Sequence, residues 1–202
     1  SVSAGADQTI CEGSSATLTS TTMSSYNWST GATTQSITVS PTTTTTYTLT
    51  GTDANGCENT DQVTVTVEDL PSVSVALGSS TLCASETVTL SSTVTGGTWS
   101  SSDNSVATVS SVGVVTAKSV TTQSTAVITF TSTANCTGSI TVTVNPLPTI
   151  SVVGGSSKTV CSGSPVTLSG SGAGSGGSYS WSGGISNGVS FTPSSSGSYT
   201  VT

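Results

Sequence analysis

Three features of this 202-residue sequence predict an all-β fold. Ser and Thr supply 87 residues, and β-branched Thr and Val lose least side-chain freedom in extended backbone. Apolar and hydroxyl residues alternate in runs such as DQVTVTVED (61–69), the period of a half-buried strand, while few segments carry a helical period. Turn signals punctuate these runs, with Asn55-Gly56 reading as a hairpin tip because both residues tolerate positive φ.

The elements recur as three copies of one plan. CEGSSATL (11–18), CASETVTL (83–90) and CSGSPVTL (161–168) each place a Leu seven residues after a Cys: Leu18, Leu90 and Leu168. Trp28, Trp99 and Trp181 follow at 17, 16 and 20 residues from those cysteines. Paired strands then close the first copy, TTYTLTGTD (45–53) with TDQVTVTVE (60–68), and the second, TAVITFTST (125–133) with GSITVTVNP (138–146). The third reaches only GSYTVT (197–202), so its last hairpin and strand are expected to be missing. Proline-bearing junctions at EDLP (68–71) and NPLP (145–148) suit strand breaks, because proline fixes φ and cannot donate to a ladder. The expected domains are therefore 1–69, 70–146 and an incomplete 147–202. Linkers this short imply touching neighbours and a stiff rod of roughly 100 Å, at about 3.3 Å per strand residue.

Composition excludes several function classes. Net charge is −7, and the basic residues are Lys118 and Lys158 alone, so no patch exists to neutralise phosphates and nucleic acid is not an expected partner. No apolar run of about 18 residues is present, so membrane insertion is not expected. The absence of His removes Ser-His-Asp and Cys-His sites, leaving a Ser-Lys pair as the formal remainder; no enzyme is expected. Five cysteines without His point to disulfides in an oxidising compartment more than to zinc. The chain does not begin with Met and shows no signal peptide, which reads as part of a longer, processed protein outside the cell.

The stretch SAGADQTICEGSSATL, continued by YNWSTGATTQSITVSPTTTTTYTLTGTDANGCENTDQVTVTV, strongly resembles the Ig-like, PKD-like repeats of very large bacterial surface adhesins, above all SprB-type gliding-motility adhesins exported by the type IX secretion system. TWSSSDNSVATVSSVGVVTAKSV (98–120) resembles the bacterial Ig-like group 2 pattern of intimin- and invasin-type adhesins. The resemblance implies tandem immunoglobulin-like β-sandwiches arranged head to tail at the cell surface. It also implies a stalk or spacer function in adhesion. Neighbouring Ig-like repeats of the same chain would be the partners, with filament subunits or surface glycans as further ones. The alternatives are a carbohydrate- or protein-binding module, using loops at 100–104 or 169–178, and accessory domains of a secreted hydrolase. Within such sandwiches Trp28, Trp99, Trp181, Leu18, Leu90 and Leu168 are expected in the cores, against a rival reading of the tryptophans as sugar platforms. Tyr47 and Tyr199 resemble tyrosine-corner residues.

Two disulfide schemes fit. In one, Cys11 pairs with Cys57 and Cys83 with Cys136, inside their own copies. In the other, favoured, scheme Cys11 at the A–B end of one sandwich meets Cys136 at the F–G end of the next. Cys57, Cys83 and Cys161 then bond outside the fragment, because opposite ends of one sandwich lie too far apart for a disulfide. Asp53, Asn55, Glu58 and Asp61, with Asn59, form a weak calcium candidate; oxygen ligands alternate, yet Thr64 stands where an EF-hand needs Glu. No other cofactor is expected. Asn27 and Asn135 match Asn-x-Ser/Thr, and residues 42–46 form a Thr run open to O-linked sugars.

Overall fold

The computed structural model describes residues 1–202 apart from 156, 162 and 174–176. The chain divides into two compact units, Ser1–Asn145 and Pro146–Thr202. The larger unit holds two β-sandwiches, each with its own core.

The first sandwich contains β1 (Gln8–Cys11), β2 (Ala16–Thr19), β3 (Ser25–Trp28), β4 (Ser36–Val39), β5 (Thr45–Thr52) and β6 (Glu58–Glu68). One sheet runs β1-β6-β5-β3 and the other pairs β2 with β4. The first strand lies parallel to the last, while β5 and β6 form an antiparallel hairpin. Alternation sets which side faces inward. On β6, Val63 and Val65 are buried and Thr64 between them is not, whereas Val67 is only half-buried near the sheet's end. Leu18, Trp28, Leu49, Val63 and Val65 fill the core.

The second sandwich contains β7 (Val73–Leu77), β8 (Thr81–Cys83), β9 (Thr87–Ser92), β10 (Thr98–Ser101), β11 (Ala107–Val109), β12 (Val114–Ala117), β13 (Ser124–Thr131) and β14 (Thr137–Asn145). Its sheets run β10-β13-β14-β8 and β11-β12-β9-β7. Again a short early strand, β8, lies parallel to the last, β14. Two sheets faced by alternating residues, each sandwich with one short early strand parallel to its last, make both sandwiches immunoglobulin-like.

The unit Pro146–Thr202 has two-residue strands: β15 (Ser151–Val152) with β17 (Gly170–Ser171), and β16 (Val166–Thr167) with β18 (Ser190–Phe191), plus a bridge between Trp181 and Val201. The chain is all-β, as expected.

The expected core residues need two corrections. Trp28, Trp181, Leu18 and Leu90 are buried, but Trp99 and Leu168 are only partly so. Trp28 stands opposite Leu49 in its sheet, whereas Trp99 stands opposite the larger Phe130. Phe130 meets the Trp99 ring edge-on at 5.0 Å, and the partly buried indole packs against the second core, close to Gly113. Leu168 lies one residue past β16, and no hairpin like β5–β6 covers it among the described residues.

Tyrosine hydroxyls are also used differently. Tyr26 accepts a hydrogen bond from the Met23 amide, and Tyr179 one from the Ala173 amide. Tyr47 instead packs in the first core, and Tyr199 meets Phe191 edge-on. The indole nitrogens of Trp28 and Trp181 donate to Thr34 O and Asn187 Oδ1, each six residues downstream.

Across the outer faces, hydroxyl pairs replace ion pairs. Thr46 with Thr64, Thr19 with Ser36, and Ser74 with Ser91 lie within 3.2 Å. This explains how a chain with 5% charged residues keeps a polar surface.

Candidate functional site

The functional feature with the most developed geometry is the place where the first sandwich passes into the second. Because β1 runs parallel to β6, Cys11 lies beside Glu68, where the chain leaves the sheet for the linker. Cys136 stands after the turn joining β13 to β14. The two form a disulfide, with Cα atoms 5.5 Å apart and a sequence separation of 125. Cys136 is buried at 1% exposure, whereas Cys57, Cys83 and Cys161 are free and exposed. The bonds Cys11–Cys57 and Cys83–Cys136 are not made.

A second attachment accompanies the bond. The backbone of Pro71, in the linker, lies against Gly138, two residues past Cys136, so closely that any Cβ there would collide with the Pro71 carbonyl. Pro71 itself is buried. The junction is thus crossed by the linker, seated on β14, and by the disulfide.

Local hydrogen bonds fix how each cysteine is presented. In the β13–β14 turn the Ser132 amide donates to Cys136 O, the Asn135 amide to Ser132 O, and the Cys136 amide to Ser132 Oγ. In the β5–β6 turn Asp53 does the same work. Its amide donates to Cys57 O, its carbonyl accepts from Gly56, and its Oδ1 accepts from the Cys57 and Asn55 amides. Positive φ falls at Gly56 (81°) and Asn135 (63°), while Asn55 has ordinary φ. The expected two-residue Asn-Gly tip is therefore a longer loop with one left-handed residue. Asp53 and Ser132 hold it by closing hydrogen bonds from four residues before the cysteine.

Cys11 and Cys83, which end strands, share a different turn with Cys161. The amides of Ser14, Glu86 and Ser164 donate to the carbonyls of Cys11, Cys83 and Cys161, with positive φ at Gly13, Ser85 and Gly163. Cys83 lies beside Asn145 as Cys11 lies beside Glu68.

The calcium candidates are not brought to one point. The Asp53 carboxylate caps its own turn, and Asp61 Oδ2 accepts the Ala4 amide at 2.8 Å. Hydrogen bonds from the amides of Ala4 and Gln62 hold the Asp61 carboxyl below its ordinary range, against a smaller opposing effect of burial. Among the described residues no three His, Cys, Asp or Glu gather to hold a metal. In the 100–104 loop, Asp103 accepts both the amide and hydroxyl of Ser105, which lower its pKa in the same way. The 169–178 loop lies partly outside the described residues. Asn27 and Asn135 are both exposed. Sequence reasoning missed the turn-holding roles of Asp53 and Ser132 and the Pro71–Gly138 contact. A polar residue four before each hairpin cysteine was the available signal for the first; no residue pattern announced the second.

No family model matches the chain, and no curated protein matches it. Several solved structures are similar to it. The C-terminal 282-residue fragment of intimin, solved with the intimin-binding domain of the translocated intimin receptor, is 18% identical with a TM-score of 0.46, covering 69% of this chain and 60% of the fragment. Titin domains I67–I69 are 12% identical with a TM-score of 0.43, covering 87% and 75%. The fibronectin(III)-like modules of Clostridium thermocellum CbhA are 11% identical with a TM-score of 0.41, covering 72% and 94%. The immunoglobulin-like assignment rests on the chain's own strand order.

Proposed function

We propose that this chain is a set of spacer repeats, 1–69, 70–146 and 147–202, in a secreted cell-surface adhesin or filament, holding a distal binding region away from the cell and carrying load. The observation that carries this reading is the Cys11–Cys136 disulfide, a covalent bridge between two sandwiches already joined by a short linker. A junction held by one segment can bend and swivel. A junction held at two separated points resists both, which serves a stalk. Disulfides persist in oxidising surroundings, which supports an extracellular setting. The resemblance to gliding-motility repeats would make the protein a type IX secretion substrate. The sequence contains no His for a Ser-His-Asp or Cys-His site, and the chain is read as non-enzymatic and without a cofactor.

A second reading has one specific observation in its favour. Trp99, Phe130 and the 74% exposed Val112 border a shallow groove on the second sandwich, a surface on which a sugar ring could stack. A glycan array separates the two. Spacer repeats leave the bare chain without saturable binding. Binding that Trp99→Ala abolishes would replace the spacer reading with the carbohydrate one.

A further inference from the structure

We propose that Cys57 is a socket for another Ig-like repeat of the same kind, one that precedes it in a chain and carries a cysteine at the end of the short strand that runs parallel to its last strand. By the same rule, Cys83 and Cys161 are plugs for the hairpin of the repeat that follows each of them. This rests on the observed junction and not on the adhesin reading.

The proposal stands on the bond that the equivalent residues already make. Cys11, a strand-end cysteine, is joined to Cys136, a hairpin cysteine of the next sandwich. Cys57 is the hairpin cysteine of the first sandwich, reached through the same register: β5 pairs with β6 up to Thr52–Glu58, as β13 pairs with β14 up to Thr131–Thr137. Cys83 occupies the strand end of the second sandwich in the register that Cys11 has in the first. Equivalent positions that are bonded in one instance and exposed as free thiols in the others assign the missing partner by chemistry and place. The rule is directional: a strand-end sulfur of one repeat meets the hairpin sulfur of the repeat after it.

Repeated along a chain, this rule has a mechanical consequence. Each bond skips from one repeat to the next, and the only peptide then in the shortest covalent path runs from a socket to the following plug. That distance is 26 residues from Cys57 to Cys83 and 25 from Cys136 to Cys161. At about 3.3–3.6 Å per residue, such a segment spans about 80–95 Å when fully drawn out. Two folded sandwiches of roughly ten-residue strands already span a comparable length. A fully bonded array would therefore be nearly inextensible, whether or not its sandwiches unfold.

Bond formation proceeds by thiol–disulfide exchange with a small-molecule disulfide such as oxidised glutathione. The Cys57 thiolate attacks one glutathione sulfur and releases a glutathione thiolate. The plug thiolate then attacks the Cys57 sulfur and releases the second. Two protein thiols are oxidised, one glutathione disulfide is reduced to two thiols, and the two protons lost by the protein end on glutathione or in solvent.

The test places a plug ahead of the intact chain. Residues 70–148 are added directly before Ser1, so that a second Leu147-Pro148 precedes Ser1 as Leu70-Pro71 precedes Ser72. The protein is folded with oxidised and reduced glutathione and mapped without reduction. With Cys83→Ser in the original copy, so that every Cys83 peptide comes from the added repeat, the proposal expects a peptide joining the added repeat's Cys83 to Cys57 beside the Cys11–Cys136 peptide, with two thiols left for alkylation. Cys57→Ser should return the added Cys83 to the free pool. A parallel fusion adds residues 1–71 instead and offers Cys11 as the plug. If Cys57 stays alkylatable in both fusions while the Cys11–Cys136 peptide of the intact chain forms, the proposal is overturned. A bond between the added repeat's Cys83 and its own Cys136 would overturn it equally.

Discussion

Reducing the Cys11–Cys136 bond should lengthen the chain that can be drawn out under force by an amount fixed by its position. When the ends are pulled with the bond intact, load enters through β1, crosses from Cys11 to Cys136, and leaves along β14. The segment between the cysteines, a sequence separation of 125, stays out of the load path even after both sandwiches unfold. Reduction returns it. At about 3.3–3.6 Å per residue the fully unfolded contour grows by about 410–450 Å. Single-molecule force spectroscopy on the 202-residue protein, with its free thiols alkylated beforehand, reads this directly as the difference in final contour length with and without dithiothreitol. A Cys11–Cys57 bond, a sequence separation of 46, would hide only about 150–165 Å. A gain of that size, or none, would refute the load path argued here.

Other perturbations test the parts separately. Trp28→Ala empties a fully buried site and should cost about 3–5 kcal/mol in denaturant unfolding of its sandwich, whereas Trp99→Ala at a partly buried site should cost clearly less. Gly138→Ala puts a methyl group into the Pro71 carbonyl and should destabilise the junction by about 1–3 kcal/mol, read as faster hydrogen exchange around residues 71 and 138. Asp61 has a folded pKa below its unfolded value. Its contribution is therefore present above the unfolded carboxylate range and is lost as pH falls through the folded value. Acidification should release the Ala4 amide to exchange in the wild-type protein, and Asp61→Asn should remove that pH dependence. Asp53→Ala removes the carboxylate that binds the Cys57 and Asn55 amides and should speed alkylation of the Cys57 thiol without unfolding the core.

Period-two patterning made the strands legible. In DQVTVTVED each Val can face only one way once the strand is extended, and Val63 and Val65 are buried accordingly. The disulfide was legible for a related reason: placing Cys11 at a strand end and Cys136 at a hairpin separates the pairs that can meet from those that cannot. What the sequence did not carry was which residues meet across a sheet. Trp99 matches Trp28 in spacing, yet its neighbour across the sheet is Phe130 and not Leu49, and its indole packs against the core only partly buried. The Asn55-Gly56 pair read as a two-residue tip because Asp53 was not counted as a turn-closing acceptor, although its side chain sets the loop's length. The Pro71–Gly138 contact joins residues 67 apart and has no local signature.

The most direct test of the bridge between sandwiches is a nonreducing peptide map of the 202-residue protein folded in a glutathione redox buffer. A peptide pair joined through Cys11 and Cys136, with Cys57, Cys83 and Cys161 recovered as alkylated thiols, is the expected result. Peptides joining Cys11 to Cys57 and Cys83 to Cys136 would mean that each sandwich is closed on itself, contradicting the stapled junction.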